Sequence, residues 1–83
     1  MIKANIKFNN INDIKNFVNK VSKYDTYIDV KKDSRLLDGK SIEGLFTLQM
    51  GTVLECIIHS TLSDAKSIIE DIQEYMLTDF AEV

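Results

Sequence analysis

Between Ile2 and Val21 the apolar residues change from every second position to every third or fourth, which limits the chain to folds in which a strand passes directly into a helix. Ile2, Ala4, Ile6 and Phe8 alternate with Lys3, Asn5 and Lys7, the period of a half-buried strand. After the turn-like NNIN, residues Ile14, Phe17, Val18 and Val21 share one helical stripe. Asp13 stands in the first turn and Lys20 and Lys23 in the last, as the helix dipole favours. The spacing predicts a strand over residues 2–8 and a helix from about Asn12 to Lys23.

The alternation returns at Tyr27 to Lys31 through Ile28 and Val30. Lys32 to Ser34 reads as a hairpin turn, and Arg35 to Asp38 as its second arm. From an N-cap at Ser41, Ile42, Leu45, Phe46 and Gln49 form one helical stripe for about two turns, with Gly51 as the stop. Thr52 to Ser60 is β-branched and apolar, and is expected to be a strand with Leu54, Cys56 and Ile58 facing inward and Val53, Glu55, Ile57 and His59 outward. Thr61 with Asp64 resembles a capping box ahead of Ala65, Ile68, Ile69, Ile72, Tyr75 and Met76, and the tail Thr78 to Val83 is expected to fray.

The order β-α-β-β-α-β-α, with one apolar face per strand and one stripe per helix, suits an α/β (α+β) two-layer open-faced sandwich with all three helices on one face of an antiparallel sheet. At 83 residues without proline, repeat or linker, residues 1–83 are expected to form one domain. The expected core is Ile2, Ile6, Phe17, Val21, Ile28, Leu54, Ile58, Ile68 and Ile72.

Composition excludes several classes of function. No apolar run approaches the roughly 20 residues of a membrane helix, and MIKANIKF is unlike a signal peptide, so membrane insertion is not expected and the cytoplasm is the expected location. A net charge of −3 with ten scattered Lys and Arg argues against nucleic acid. One cysteine, Cys56, and one histidine, His59, give no set of metal ligands. Cys56 reads as a small buried side chain and His59 as a solvated strand-end residue.

The element order, "SKYD" at Ser22 to Asp25 and "GKSIEGLFTLQMG" at Gly39 to Gly51 resemble the HPr family, the histidine-containing phosphocarriers of the phosphoenolpyruvate-dependent sugar phosphotransferase system. The resemblance implies a four-stranded sheet in the order 1-4-2-3. The family's chemistry rests on Gly-x-His-x-Arg-Pro at the start of the first helix, where this chain reads NNINDI. Asn10 stands at the histidine's place, Asn12 at the arginine's and Asp13 at the proline's. A carboxamide is no nucleophile toward phosphorus, and Asp13 repels a phosphoryl group, so phosphohistidine transfer is expected to be absent, with no catalytic residue, no enzymatic activity and no cofactor.

Ser41 matches the serine that a dedicated kinase phosphorylates in Gram-positive members, and a catabolite-repression branch of the family lacks the histidine while keeping this serine. Without a kinase, Ser41 is an ordinary N-cap. Ile42, Leu45, Phe46 and Met50 exceed what a short helix can bury, and any surplus forms a docking patch. Glu43 adds a charge there. The resemblance implies a regulatory module that binds a protein partner: a phosphotransferase component, HPr kinase or a transcription regulator. The alternatives are a working phosphocarrier of the sugar system with an atypical acceptor, and an assembly element without regulation.

Overall fold

The computed structural model describes residues 1–83. Strand β1 (Ile2–Ile6) leads into helix α1 (Ile11–Val21), the hairpin of β2 (Ile28–Lys32) and β3 (Arg35–Asp38), and the short helix α2 (Ile42–Leu45). Strand β4 (Leu54–Ile58), helix α3 (Leu62–Ile72), a 3-10 turn (Gln73–Tyr75) and strand β5 (Ala81–Glu82) complete the chain. Every strand pairing is antiparallel and the sheet order is β3-β2-β4-β1-β5. The order 1-4-2-3 is retained, but the sheet has five strands rather than four. The tail does not fray as a whole: Val83 N–H donates to the Met1 carbonyl at 2.8 Å and Leu77 N–H to the Asn5 carbonyl at 2.8 Å. The physical reason lies in β1, whose outer edge carries backbone groups that need partners.

One cluster of 19 buried residues holds the molecule together, and it contains all nine residues expected in the core. The register of β4 is the expected one, with Leu54, Cys56 and Ile58 buried and Val53 52% exposed. Ile57 faces the other way and is nevertheless only 6% exposed. It lies on the central strand between Lys3 and Asp29, whose side chains flank it across both pairings. Phe8, Phe17 and Tyr75 meet edge to face, with centroids 5.1, 5.8 and 5.9 Å apart, and bring the end of β1, α1 and the 3-10 turn to one point.

Helix α2 ends about a turn earlier than its apolar spacing suggests. The Thr47 hydroxyl donates to the Gly44 carbonyl at 2.7 Å, offering the backbone a local alternative to the next helical bond. Leu48 then turns into the core. Gly51 is therefore not the helix stop; it takes φ +77° in the loop before β4, and its N–H reaches the Phe8 carbonyl at 2.7 Å. Gly39 answers a different need. Its N–H donates to the Ile28 carbonyl at 2.7 Å, and a Cβ there would lie 2.8 Å from that oxygen.

Candidate functional site

Asn10 is the N-cap of α1: its extended backbone (φ −156°) precedes the first turn, and its Oδ1 accepts the Asp13 N–H at 2.9 Å. Asp13 Oδ2 in turn accepts the Asn9 N–H at 2.9 Å, which ties the residue before the cap to the first turn. First-turn amides are the groups with which a helix N-terminus holds an anion. Here the Asp13 amide is engaged from within by Asn10, and the Asp13 carboxylate stands where negative charge would have to arrive. Asn12 is exposed and brings no charge.

Ser41 caps α2. Its Oγ accepts the Gly44 N–H at 3.3 Å, and the residue is half-buried. Gly44 leaves the hydroxyl approachable, since a Cβ there would press to 3.3 Å from Ser41 Oγ. The segments around the cap are firmly held. Lys40 N–H donates to Asp38 Oδ1 at 2.9 Å, and the Lys40 ammonium donates to the Tyr24 carbonyl. The Tyr24 hydroxyl donates to Asp71 Oδ2 at 2.5 Å, with Lys23 Nζ 3.2 Å from the same oxygen. The Tyr24 hydroxyl and the Lys23 ammonium hold the Asp71 carboxyl below the usual range, and Asp71 with burial raises Tyr24. Residues of SKYD and GKS thus join α1, the start of α2 and α3, a structural role that explains why they occur together.

The four apolar residues of the second helical segment divide. Leu45 is fully buried and belongs to the core, Ile42 and Met50 are half-buried against it, and Phe46 remains 41% exposed. The structure adds Ile11, 44% exposed at the first position of α1. Sequence reading passed over it, although it stands three residues before Ile14 and continues the α1 stripe beyond the part the sheet covers. The bond from Gly51 to Phe8 ties the end of the 46–51 segment to the residues that lead into α1 and Ile11, at one corner of the molecule.

His59 is not near this corner. It follows the end of β4 that pairs with Ile2, a strand length away from Asn10, and its Nε2 lies 2.7 Å from Asp29 Oδ2 on the face of the sheet opposite the helices. Cys56 is buried, and burial followed by the Asp29 charge pushes its thiol up to about 12, which leaves no thiolate for chemistry at neutral pH. No three His, Cys, Asp or Glu side chains converge as a metal site, and no helix is long and apolar enough to cross a membrane.

No protein-family model and no curated protein matches the sequence. Solved structures do match. The HPr-C-His protein of Thermoanaerobacter tengcongensis superposes with a TM-score of 0.69 at 23% identity, over 89% of this chain and 93% of that one. The fold is that of HPr. The phosphocarrier protein HPr of Bacillus anthracis gives a TM-score of 0.68 at 12% identity over 89% and 96% of the two chains. Crh, the catabolite repression protein of Bacillus subtilis, gives 0.62 at 21% over 88% of each. In the HPr fold of this chain the start of α1 carries the Asn10–Asp13 cap, and the start of α2 carries Ser41.

Proposed function

We propose that this chain is a non-enzymatic HPr-like regulatory module of the cytoplasm, folded as one domain, that carries no phosphoryl group on α1 and acts by binding a protein partner. The observation that carries the reading is the cap of α1: Asn10 Oδ1 takes the Asp13 amide, the Asp13 carboxylate brings negative charge to the helix start, and no cation stands at Asn12. A histidine holding a phosphoryl group needs first-turn amides and a positive neighbour to stabilise it. Ile11 and Phe46, flanked by Ile42 and Met50, supply an apolar corner for a phosphotransferase component, HPr kinase or a transcription regulator.

Incubation with the general phosphotransferase enzyme and phosphoenolpyruvate, followed by intact mass, tests the first half. No mass gain is expected, and Asn10→His alone should not restore transfer, because Asn12 stays neutral and Asp13 repels the donor. Acid-labile gain of one phosphoryl group by the unaltered chain would overturn the reading and redirect attention to His59. Ser41 is the residue for a kinase to modify. Its hydroxyl already accepts the Gly44 amide at the start of α2, so a phosphate there need not unfold the helix, although Glu43 opposes the added charge. Treatment with HPr kinase and ATP should label the chain weakly and Ser41→Ala not at all; equal labelling of both would place the modification elsewhere, and labelling of neither would leave Ser41 as a structural cap.

A further inference from the structure

The alternation of β2 places Ile28, Val30 and Lys32 on the face the helices cover, and the register of the hairpin sets Lys32 directly opposite Arg35. The inward face of this hairpin therefore ends in two cations. Like charges directly opposite one another destabilise a strand pair. Neither is within salt-bridge distance of a carboxylate, although the chain is acidic overall at −3.

The pair lines a cleft of about 350 Å³ between the β2–β3 turn and the segment joining α2 to β4, together with Ser34, Thr47 and Gln49. The Arg35 guanidinium is positioned across this cleft, because its Nη2 donates to Thr47 Oγ1 at 2.6 Å, and Thr47 is itself held by the Gly44 carbonyl. That contact uses one of five guanidinium N–H groups and leaves four. With the Lys32 ammonium, the Ser34 hydroxyl and the Gln49 amide, the cleft offers more donors than the two oxygens of a carboxylate can accept. Asp33, in the exposed turn at φ 54°, forms the only acidic part of the rim.

We propose that this cleft binds the phosphate group of a small phosphate monoester or of free phosphate, with Arg35 and Lys32 as its principal ligands. A tetrahedral oxyanion matches the fork of Arg35 and the point charge of Lys32, and would relieve the repulsion across the hairpin. The site is independent of the α1 and α2 helix starts and of whether either is phosphorylated.

Titration of the ¹⁵N-labelled protein near pH 8, at constant ionic strength, tests this with glycerol 3-phosphate, inorganic phosphate and acetate in separate arms. Saturable amide shifts confined to residues 32–35 and 47–52 are expected for the phosphates, with acetate about tenfold weaker. Tighter binding of glycerol 3-phosphate supports an ester as the ligand, and equal binding supports free phosphate. Arg35→Gln should weaken binding about tenfold and Lys32→Gln less, while Lys66→Gln on α3 leaves it within about twofold. Shifts that fail to saturate, acetate binding as tight as phosphate, or a well-dispersed Arg35→Gln spectrum with unchanged affinity would overturn the proposal.

Discussion

Leu45 and Phe46 are neighbours in the chain with opposite fates, and their comparison separates the part of α2 that maintains the fold from the part available to a partner. Leu45 is fully buried in the common core and Phe46 is 41% exposed. Leu45→Ala should cost about 2–5 kcal/mol, since it removes buried methyl groups and leaves a cavity. Phe46→Ala should cost well under half of that, because much of its ring already meets water. Urea unfolding of the two variants gives both values, and comparable losses would show that Phe46 is needed for the core and is no free docking residue. The pattern of apolar residues could not divide them: a stripe shows which side of a helix is apolar, but not how much of it the rest of the chain covers. At α1 the sequence offers only three departures from a motif, and no cap is read there. That Asn10 takes the Asp13 N–H while Asp13 takes the Asn9 N–H became visible only in the geometry.

At the scale of elements, the main departure from sequence expectation is the last segment. Residues 77–83 are exposed, yet they run along β1 and pair with it, with Ala81 opposite Lys3 and Glu82 opposite Ile2. Their attachment is through backbone bonds and the contact of the amino terminus with the Val83 carbonyl rather than through burial. Deleting residues 81–83 should therefore lower stability by less than about 1 kcal/mol, as expected where little apolar surface is lost. The uncovered edge of β1 should then promote self-association, because an unpaired strand edge templates further pairing. Size-exclusion chromatography over a range of concentrations checks this. A truncated chain that remains monomeric at every concentration at which the full chain is monomeric would show that β5 does not protect the edge. No apolar period announced β5: two residues are too few for a period, and the need they meet belongs to a strand at the opposite end of the chain.

For the whole molecule, stability should depend on pH at both ends of the scale. The folded thiol of Cys56 is raised from its ordinary 9.0 to about 12, and Tyr24 is raised as well. A raised acid contributes stability that is complete below its unfolded value and lost as pH climbs toward the folded one, so stability should fall above about pH 9. Cys56 alone accounts for up to about 1.4 kcal/mol per pH unit there, and Cys56→Ala should flatten that limb in urea unfolding; an unchanged slope would show that the thiol does not resist ionisation. Asp71 and Glu74 are lowered, chiefly by the Tyr24 hydroxyl and the Lys20 ammonium respectively, so what they contribute is present above their ordinary 3.8 and 4.5 and lost as pH falls through their folded values. The sequence by itself determined the strand and helix types, the inward register of β4 and all nine expected core residues, because hydrophobic period is a local property set by backbone geometry. It also placed Asn10, Asn12 and Asp13 where α1 begins. The fifth strand, the early end of α2, the assignment of Leu45 to the core, the apolar corner at Ile11 and the cationic cleft beside Thr47 were decided only by tertiary structure. Each depends on which distant segment supplies the missing hydrogen bond, cover or charge, and a one-dimensional pattern does not contain that information.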